Sequence, residues 1–246
     1  MTASPADASG RVLITGAAGG LGRALVDAFL EAGYRVAAGW HVTPFAQPAA
    51  PVGDRLHALP LDVTRTDSVE AAVASVHALW GGVDVLVNNA GSTVDKALWE
   101  LPPEHWDVLL DTNLKGAFRC SRACVAGMVE RGWGHLIHLT SHAGLRGGRG
   151  QAGYAAAKAG LIGLTHSLAA ELGPSGVQVN AVLPGVLPTR MTEGLREPVL
   201  TGLRESNVLG RFGEVAEVAR FVVVLAGMRH VSGQVFALDG RPLRPW

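Results

Sequence analysis

The sequence predicts an α/β protein with a doubly wound, parallel, seven-stranded sheet and helices on both faces. Apolar runs of strand length alternate with longer stretches in which apolar residues recur every three or four positions, as in βαβ units. The short runs are mostly apolar and not regularly alternating, which is typical of strands covered on both faces. The 246 residues are 48% apolar, enough for a core without disulfides. We therefore expect one domain over residues 1–246.

The first half of the chain predicts four strands and two helices. The strands are expected at 12–14, 35–39, 56–61 and 83–87. The first strand leads into a glycine-rich turn and then a helix whose apolar face runs from Leu21 to Ala32. Gly33 follows at the position where glycine commonly ends a helix. A second helix, with apolar residues from Val69 to Leu79, leads into the fourth strand.

The second half repeats this rhythm three times. A helix over 103–131 precedes a strand at 136–139, a helix over 151–172 precedes a strand at 177–183, and a helix over 214–226 precedes a strand at 234–238. Residues 184–210 contain three prolines and four glycines and lack the pattern of a long helix. Because such segments in compact domains are usually functional, we expect a substrate flap there. We expect residues 1–10 to be flexible.

Charge and hydropathy exclude several classes of protein. Lys plus Arg and Asp plus Glu both number 21, so the formal net charge is zero and nucleic acid is not an expected partner. The start of the chain lacks a secretory pattern and the longest apolar runs are too short for a bilayer, which predicts a cytoplasmic protein without membrane contact. Cys120 and Cys124 are interpreted as reduced, half-buried thiols. His135 and His138 fall on opposite faces of one strand, so we predict no metal site.

The turn between the first strand and the first helix predicts a dinucleotide site. Glycines let a backbone approach a pyrophosphate, and a helix N-terminus offers free N–H groups and a favourable dipole. The spacing is G-x-x-x-G-x-G, so an ordinary glycine-rich turn is the alternative. The expected contacts are Gly16, Gly19, Gly20, Leu21 and Gly22.

The corner after the second strand favours NADPH over NADH. An acidic residue at this corner would bind the adenosine ribose and repel a 2′-phosphate, and the segment 38–41 contains none. No arginine stands there either, and Gly19 occupies a turn position at which a basic residue would hold the phosphate. His41 is interpreted either as a phosphate contact or as a residue that only caps the sheet edge.

Two further strand ends carry candidate cofactor residues. Asp62, after the third strand, is placed to accept a hydrogen bond from the adenine amino group, with Val63 continuing the contact; an acidic helix cap is the alternative. An Asn-Asn-Ala-Gly segment follows the fourth strand. Its small residues and amides fit a cofactor crevice, and a plain Asx turn is the alternative. The expected contacts are Asn89, Ala90 and Gly91.

Tyr154 and Lys158 form the candidate catalytic pair. They lie four residues apart, on one face of the predicted helix. Tyrosine ordinarily titrates near pH ~10, so a neighbouring cation is needed before it exchanges a proton near neutral pH. Ser141 ends a strand and is placed to share a substrate carbonyl oxygen with the phenol. Asn113 is either a tolerated polar residue in a helix or the carrier of an ordered water. Singly, Ser141 and Asn113 both have ordinary structural interpretations.

Together these motifs resemble the short-chain dehydrogenase/reductase family over nearly the whole chain. The matching pieces, in the family's order and spacing, are the turn 15–22, Asp62, the segment 88–91, Asn113, Ser141, Tyr154, Lys158 and the Pro184–Gly185 pair. The resemblance implies a Rossmann-type fold, hydride transfer with a nicotinamide cofactor and a homotetramer or homodimer.

The resemblance also implies residue roles. Tyr154 would be the general acid, Lys158 would lower the pKa of Tyr154 and bind the nicotinamide ribose, Ser141 would orient the carbonyl, and Asn113 would support a proton-relay water. The segment around Pro184 and Gly185 would line the nicotinamide site. Thr189 is similar to the family's contact to the carboxamide.

Segments 150–164 and 180–185 are most similar to 3-oxoacyl-carrier-protein reductases, which implies NADPH-dependent reduction of a 3-oxoacyl thioester. The helix after Tyr154 carries few basic residues, and Arg131 alone stands at the neighbouring helix end, which argues against docking of an acidic carrier protein. Arg146 and Arg149 either attract an anionic small substrate or are ordinary surface charges. The alternatives are another small ketone, a pteridine, a secondary alcohol oxidised with NAD, or a regulatory protein that binds the nucleotide without turnover.

Overall fold

A computed structural model describes residues 10–48, 52–189, 192, 194 and 196–242. Its strands are β1 (Arg11–Ile14), β2 (Arg35–Trp40), β3 (Leu56–Pro60), β4 (Val85–Asn88), β5 (Gly134–Leu139), β6 (Val177–Leu183) and β7 (Val235–Ala237). They form one seven-stranded sheet in the order β3-β2-β1-β4-β5-β6-β7, and its strand pairs are parallel. The predicted α/β class and doubly wound parallel sheet are confirmed.

Helices cover both faces of the sheet. They are α1 (Gly20–Glu31), α2 (Thr66–Trp80), α3 (Pro103–Leu110), α4 (Gly116–Arg131), α5 (Ala143–Arg146), α6 (Ala152–Leu172), α7 (Glu197–Glu205) and α8 (Val215–Gly227). One core layer lies under α1 and α8, and the second lies under α2 and α4. Since the central strands face a layer on both sides, their side chains are mostly apolar rather than alternately polar.

The single helix predicted over 103–131 is wrong in its middle. A π-helical turn, Asp111–Lys115, separates α3 from α4. Asn113 lies buried in this turn and its Nδ2 donates to the carbonyl oxygen of Leu109 at 2.9 Å. A side-chain amide that bonds to the backbone competes with the regular helical hydrogen bonds, which accounts for the wider turn.

Two segments singled out by the sequence lie partly outside the described residues. Of the terminus predicted to be flexible, only Gly10 is described, and the flap predicted over 184–210 lacks residues 190, 191, 193 and 195. Within the described part of that flap the chain forms the short helix α7, which its glycine and proline content did not indicate.

The buried histidines and cysteines are neutral. His135 and His138 lie on opposite faces of β5, and burial lowers the pKa of both to about 4. Cys120 and Cys124 are fully buried rather than half-buried, and burial raises the pKa of Cys120 to about 12. The described part of the chain contains no cluster of His, Cys, Asp or Glu that would hold a metal. Its helices include none with the length and apolarity of a membrane span.

Asp84 holds together the edge of the sheet opposite the strand ends that carry the candidate site. Its carboxylate accepts hydrogen bonds from the backbone N–H of Arg11 at 3.0 Å and from Nε of Arg11 at 2.7 Å. The same guanidinium donates to the carbonyl oxygen of Trp80 at 2.8 Å, and Nε of Arg131 lies 3.7 Å from Asp84. These contacts join β1, the end of α2 and the residue before β4.

Replacing Asp84 with alanine should destabilise the protein strongly. The Asp84 side chain is only 10% exposed, so its removal leaves the Arg11 guanidinium partly buried without a counter-ion, at an expected loss of about 3 kcal/mol in the free energy of unfolding. Denaturant unfolding measures this loss. The matched control is Asp67→Ala, which removes an ion pair whose carboxylate is 68% exposed and should leave the free energy of unfolding nearly unchanged. Equal losses in the two variants would contradict this account.

Candidate active site

The candidate site lies along the carboxyl ends of the strands. The chain leaves β1 to form β2 and later returns to the other side of β1 to form β4, so the connections diverge and open a crevice there. The predicted site residues follow successive strand ends. The turn 15–22 follows β1, His41 follows β2, Asp62 follows β3, residues 89–91 follow β4, Ser141 follows β5 and Pro184 follows β6.

The turn after β1 leaves no room for side chains at two glycines. Gly16 has a φ of +64°, and a Cβ there would lie 2.8 Å from Cα of Ala90. A Cβ on Gly22 would lie 2.3 Å from the carbonyl oxygen of Gly16. Gly19 is different, because its Cβ would meet nothing closer than 3.4 Å. The first turn of α1 has neither a side-chain cap nor an acidic residue, so this cradle fits a pyrophosphate.

Thr15 and Asn89 brace this turn against the end of β4. The buried Oγ1 of Thr15 accepts hydrogen bonds from the backbone N–H groups of Asn89 and Ala90, at 3.0 and 2.9 Å. Nδ2 of Asn89 donates to the carbonyl oxygens of Thr15 and Gly16, at 2.9 and 3.1 Å. The Asn89 amide therefore shapes the turn. The sequence reasoning missed Thr15, whose only local signal is a hydroxyl residue directly after a buried strand.

The predicted adenosine end brings His41 and Asp62 together. Nε2 of His41 lies 3.4 Å from Oδ2 of Asp62, and Oδ1 of Asp62 accepts from the N–H and Oγ1 of Thr64 at 2.9 and 2.7 Å. Burial by itself would raise the pKa of Asp62, but the hydrogen bonds from Thr64 and the charges of His41 and Arg65 outweigh burial and lower this pKa. A charged carboxylate thus stands near the corner although β2 itself ends without one.

Val63 and Leu21 pack inward more than they face the crevice. Val63 is buried, and its Cγ2 is 2.8 Å from where a Cβ on Gly116 would lie. Its carbonyl oxygen accepts a hydrogen bond from Arg119 at 3.2 Å. Leu21 is half-buried and packs against the core layer under α1. Both side chains therefore serve packing.

Lys158 and Asn113 meet beside Gly91. A Cβ on Gly91 would lie 2.8 Å from Oδ1 of Asn113 and 3.6 Å from Nζ of Lys158. The buried Nζ of Lys158 donates to the carbonyl oxygen of Leu139 at 2.8 Å. Burial lowers the pKa of Lys158 to about 8, which leaves it mostly cationic at pH 7.

The amide of Asn113 is occupied by backbone groups. Its Oδ1 accepts from the N–H of Ser92 at 3.2 Å, and its Nδ2 donates to the carbonyl oxygens of Ser92 and Leu109, each at 2.9 Å. Both Nδ2 hydrogens are therefore used. A water at this place would have to bind Asn113 through another atom.

Tyr154 and Ser141 complete the set. Nζ of Lys158 lies 5.6 Å from the ring centre of Tyr154. Burial raises the pKa of Tyr154, the nearby Ser141 hydroxyl opposes this and the charge of Asp95 adds to it, so that the net pKa lies above the ordinary value. This is opposite to the predicted direction, because loss of hydration dominates while the Lys158 ammonium donates to a carbonyl. Sequence reasoning also missed Thr140, whose Oγ1 donates to the carbonyl oxygen of Lys158 at 2.8 Å.

The segment after β6 reaches back to the start of α1. Gly185, which follows Pro184, has a φ of +77°, and a Cβ there would lie 2.9 Å from the carbonyl oxygen of Leu238. Cγ2 of Thr189 lies 3.1 Å from where a Cβ on Gly20 would stand. Thr189 therefore lies against the cradle at the beginning of α1.

Known proteins share this architecture and sequence. The family described as Enoyl-(Acyl carrier protein) reductase matches residues 16–240. The 3-oxoacyl-[acyl-carrier-protein] reductase FabG of Vibrio cholerae is 38% identical over 231 residues, which cover 93% of this chain and 95% of that protein. Nodulation protein G of Azospirillum brasilense is 38% identical over 237 residues, covering 93% and 96%.

A solved structure agrees with these relatives. The crystal structure of gox2181 superposes with a TM-score of 0.87 at 32% identity and covers 94% of this chain and 95% of its own. The chain therefore belongs to the short-chain dehydrogenase/reductase family and is an NAD(P)-dependent oxidoreductase that acts on C=O or CH–OH groups.

Proposed function

We propose that this protein reduces the carbonyl group of a 3-oxoacyl thioester with NADPH. The observation that carries the proposal is the convergence of a phenol and a buried ammonium, Tyr154 and Lys158, beside Gly91 at the carboxyl ends of the central strands. Relatives named 3-oxoacyl-[acyl-carrier-protein] reductase, at 37 and 38% identity, support the substrate class.

The cradle after β1 supports nicotinamide binding. Bound NADPH supplies the hydride. We assign its contacts to Gly16, Gly19, Gly20, Leu21, Gly22, His41, Asp62, Val63, Asn89, Ala90, Gly91, Tyr154, Lys158, Pro184, Gly185 and Thr189. The steric exclusion of side chains at Gly16 and Gly22 fits close approach of a pyrophosphate to the backbone.

The protein's own part in the reaction is proton transfer and orientation. Tyr154 donates its phenolic proton to the carbonyl oxygen; burial raises the pKa of Tyr154 and so weakens it as an acid, and the Ser141 hydroxyl opposes this effect. Ser141 donates a hydrogen bond to the same oxygen. Lys158, whose pKa is about 8, stabilises the phenolate that remains after transfer. Asn113 supports the water through which Tyr154 regains its proton.

We propose that this protein is cytoplasmic and that it associates with further copies of itself as a homotetramer or homodimer. An open groove of about 780 Å³ lies between α3, α4 and α6 and is lined by Val108, Leu114, Phe118 and Leu164. Val108 is 52% and Phe118 45% exposed. Covering this apolar face removes it from water, and light scattering of the purified protein measures the assembly's mass.

Tyr154→Phe should abolish most turnover while sparing nucleotide binding. Loss of the proton donor is expected to reduce kcat by about 10²- to 10⁴-fold, whereas the Kd for NADPH should stay within about twofold because the ring remains. The measurement is NADPH oxidation with a short 3-oxoacyl thioester, beside NADPH fluorescence titration. Tyr34→Phe, at the other of the two tyrosines, is the control and should retain activity. Full turnover without the Tyr154 hydroxyl would refute the proposed acid.

His41→Ala should weaken the preference for NADPH. The negative charge of Asp62 repels a 2′-phosphate bound nearby, and His41, whose Nε2 lies 3.4 Å from Oδ2 of Asp62, is placed to offset part of this repulsion. We expect kcat/KM to fall about tenfold with NADPH and to change little with NADH. His230→Ala, at an exposed histidine, is the control. An unchanged ratio of the two cofactors would remove His41 from phosphate recognition.

Free thioesters should serve as well as carrier-bound ones. Arg131, at the end of α4, lies at the sheet edge opposite the candidate site and is bound to the carbonyl oxygen of Val83 and to Asp84, so it does not attract an acidic carrier protein to that site. We expect kcat/KM for an N-acetylcysteamine thioester and for the same acyl group on a carrier protein to agree within about tenfold, with weak salt dependence. A large carrier advantage that disappears with added salt would overturn this expectation.

A further inference from the structure

A chain of buried polar side chains runs behind Lys158. It contains Asn88 of β4, Ser121 of α4, His138 of β5 and Thr165 of α6, all buried. Nδ2 of Asn88 lies 3.2 Å from Oγ of Ser121, which lies 3.5 Å from Nε2 of His138. Nδ1 of His138 lies 2.9 Å from Oγ1 of Thr165. Burying so many polar groups is unfavourable unless each is paired, so this chain requires a physical explanation.

The direction of each hydrogen bond follows from the available donors. Oγ1 of Thr165 donates its single hydrogen to the carbonyl oxygen of Leu161 at 2.7 Å, so it accepts from Nδ1–H of His138. Nε2 of His138 is then unprotonated and accepts from the hydroxyl of Ser121, whose oxygen accepts from Asn88. The chain therefore holds His138 as one neutral tautomer.

This hydrogen-bonded series of side chains lies next to the carbonyl group that binds the Lys158 ammonium. Leu139, the residue after His138, supplies the carbonyl oxygen that accepts from Nζ of Lys158 at 2.8 Å. Thr165 follows Lys158 by seven residues, two turns further along the same face of α6. His138 is thus tied to the helix that carries Lys158 and is bonded in sequence to the residue that holds its ammonium.

We propose that His138 is a positioning residue for Lys158, because the hydrogen bonds from Ser121 and to Thr165 fix β5 so that the Leu139 carbonyl faces the ammonium. The inference rests on the proposed role of Lys158. Apolar side chains in place of these four polar residues would still fill the core, but they would no longer hold β5 in this position.

The surroundings of His138 favour its neutral form. Lys158 of α6 is the nearby charge, and after burial it is the second cause that lowers the pKa of His138. Cys120 and Cys124 of α4 belong to the adjoining core layer and stay protonated because burial raises the pKa of each thiol. The register neighbours of His138 are Asn88 and Ala181, which carry no charge. Protonation of His138 would therefore place a second positive charge beside the Lys158 ammonium, which disfavours the protonated form.

Lysine NMR tests this inference without any turnover. The chain has three lysines, and Lys96 and Lys115 are exposed, so isotope-labelled lysine gives a separate signal for Lys158 with two internal references. Thr165→Val keeps the side-chain shape but removes the acceptor of His138. We expect it to lower the titration midpoint of Lys158 by at least about half a pH unit relative to the wild-type protein, because the charged form loses its carbonyl contact.

Two variants separate positioning from stability. Thr165→Ser restores the hydroxyl and should return the Lys158 midpoint to its native value. His135→Gln alters the other buried histidine of β5, whose Nε2 lies 2.9 Å from Asn180. This variant should lower the free energy of unfolding but leave the titration midpoint of Lys158 unchanged. The inference would be overturned if the titration midpoint of Lys158 were unchanged in folded Thr165→Val. It would also be overturned if His135→Gln shifted that midpoint by the same amount.

Kinetics provide the second readout. In Thr165→Val the alkaline limb of kcat/KM should move to lower pH with the Lys158 midpoint, and kcat should fall about fivefold or more, while the Kd for NADPH stays within about twofold. A wild-type protein without reductase activity would contradict the proposed function, yet the NMR comparison would still decide whether His138 positions Lys158. A native pH profile in the variant would refute the positioning role.

Discussion

The parallel pairing of β1 with β4 is the constraint on which the candidate site depends. These strands are hydrogen-bonded neighbours from Val12 and Val85 onwards, although more than seventy residues separate them in sequence. Their carboxyl ends therefore turn into the same crevice, where Gly16 and Ala90 come into contact. The Thr15 hydroxyl and the Asn89 amide lock the two turns together. A backbone cradle open to phosphate results because no side chain fits between them.

Burial sets the charge state of the polar groups around that crevice. Loss of hydration disfavours every charged form, so His138 is neutral and Tyr154 retains its proton. Groups that remain charged have partners: Asp62 has Thr64 and His41, and Lys158 has the Leu139 carbonyl. Burial therefore keeps the Tyr154 phenol protonated, whereas the nearby Lys158 stays charged because the Leu139 carbonyl offsets part of the loss of hydration.

The membership of the family and the choice of substrate rest on different parts of the molecule. The family membership rests on the whole chain, which matches its relatives over more than nine tenths of its length, and the candidate reacting groups lie at the strand ends and on α6. Substrate choice is expected to depend on the loops around the crevice, because loops vary freely on a rigid scaffold. Arg131 illustrates why the sequence alone does not identify docking residues. Its guanidinium is bound within the protein to Asp84 and Val83, so its charge is not available to a partner protein.

The sequence by itself determined the α/β class, the order of strands and helices and the motifs at the strand ends, because these depend on local periodicity and on glycines at tight turns. It did not determine the π-helical turn at Asn113, whose amide bonds both to Leu109 in the preceding helix and to the backbone of Ser92 in the loop after β4. The pairing of His41 with Asp62, the raised pKa of Tyr154 and the chain through His138 likewise join separate elements. Only the tertiary structure decided them, since hydrogen-bond partners and loss of hydration depend on which distant segments pack together.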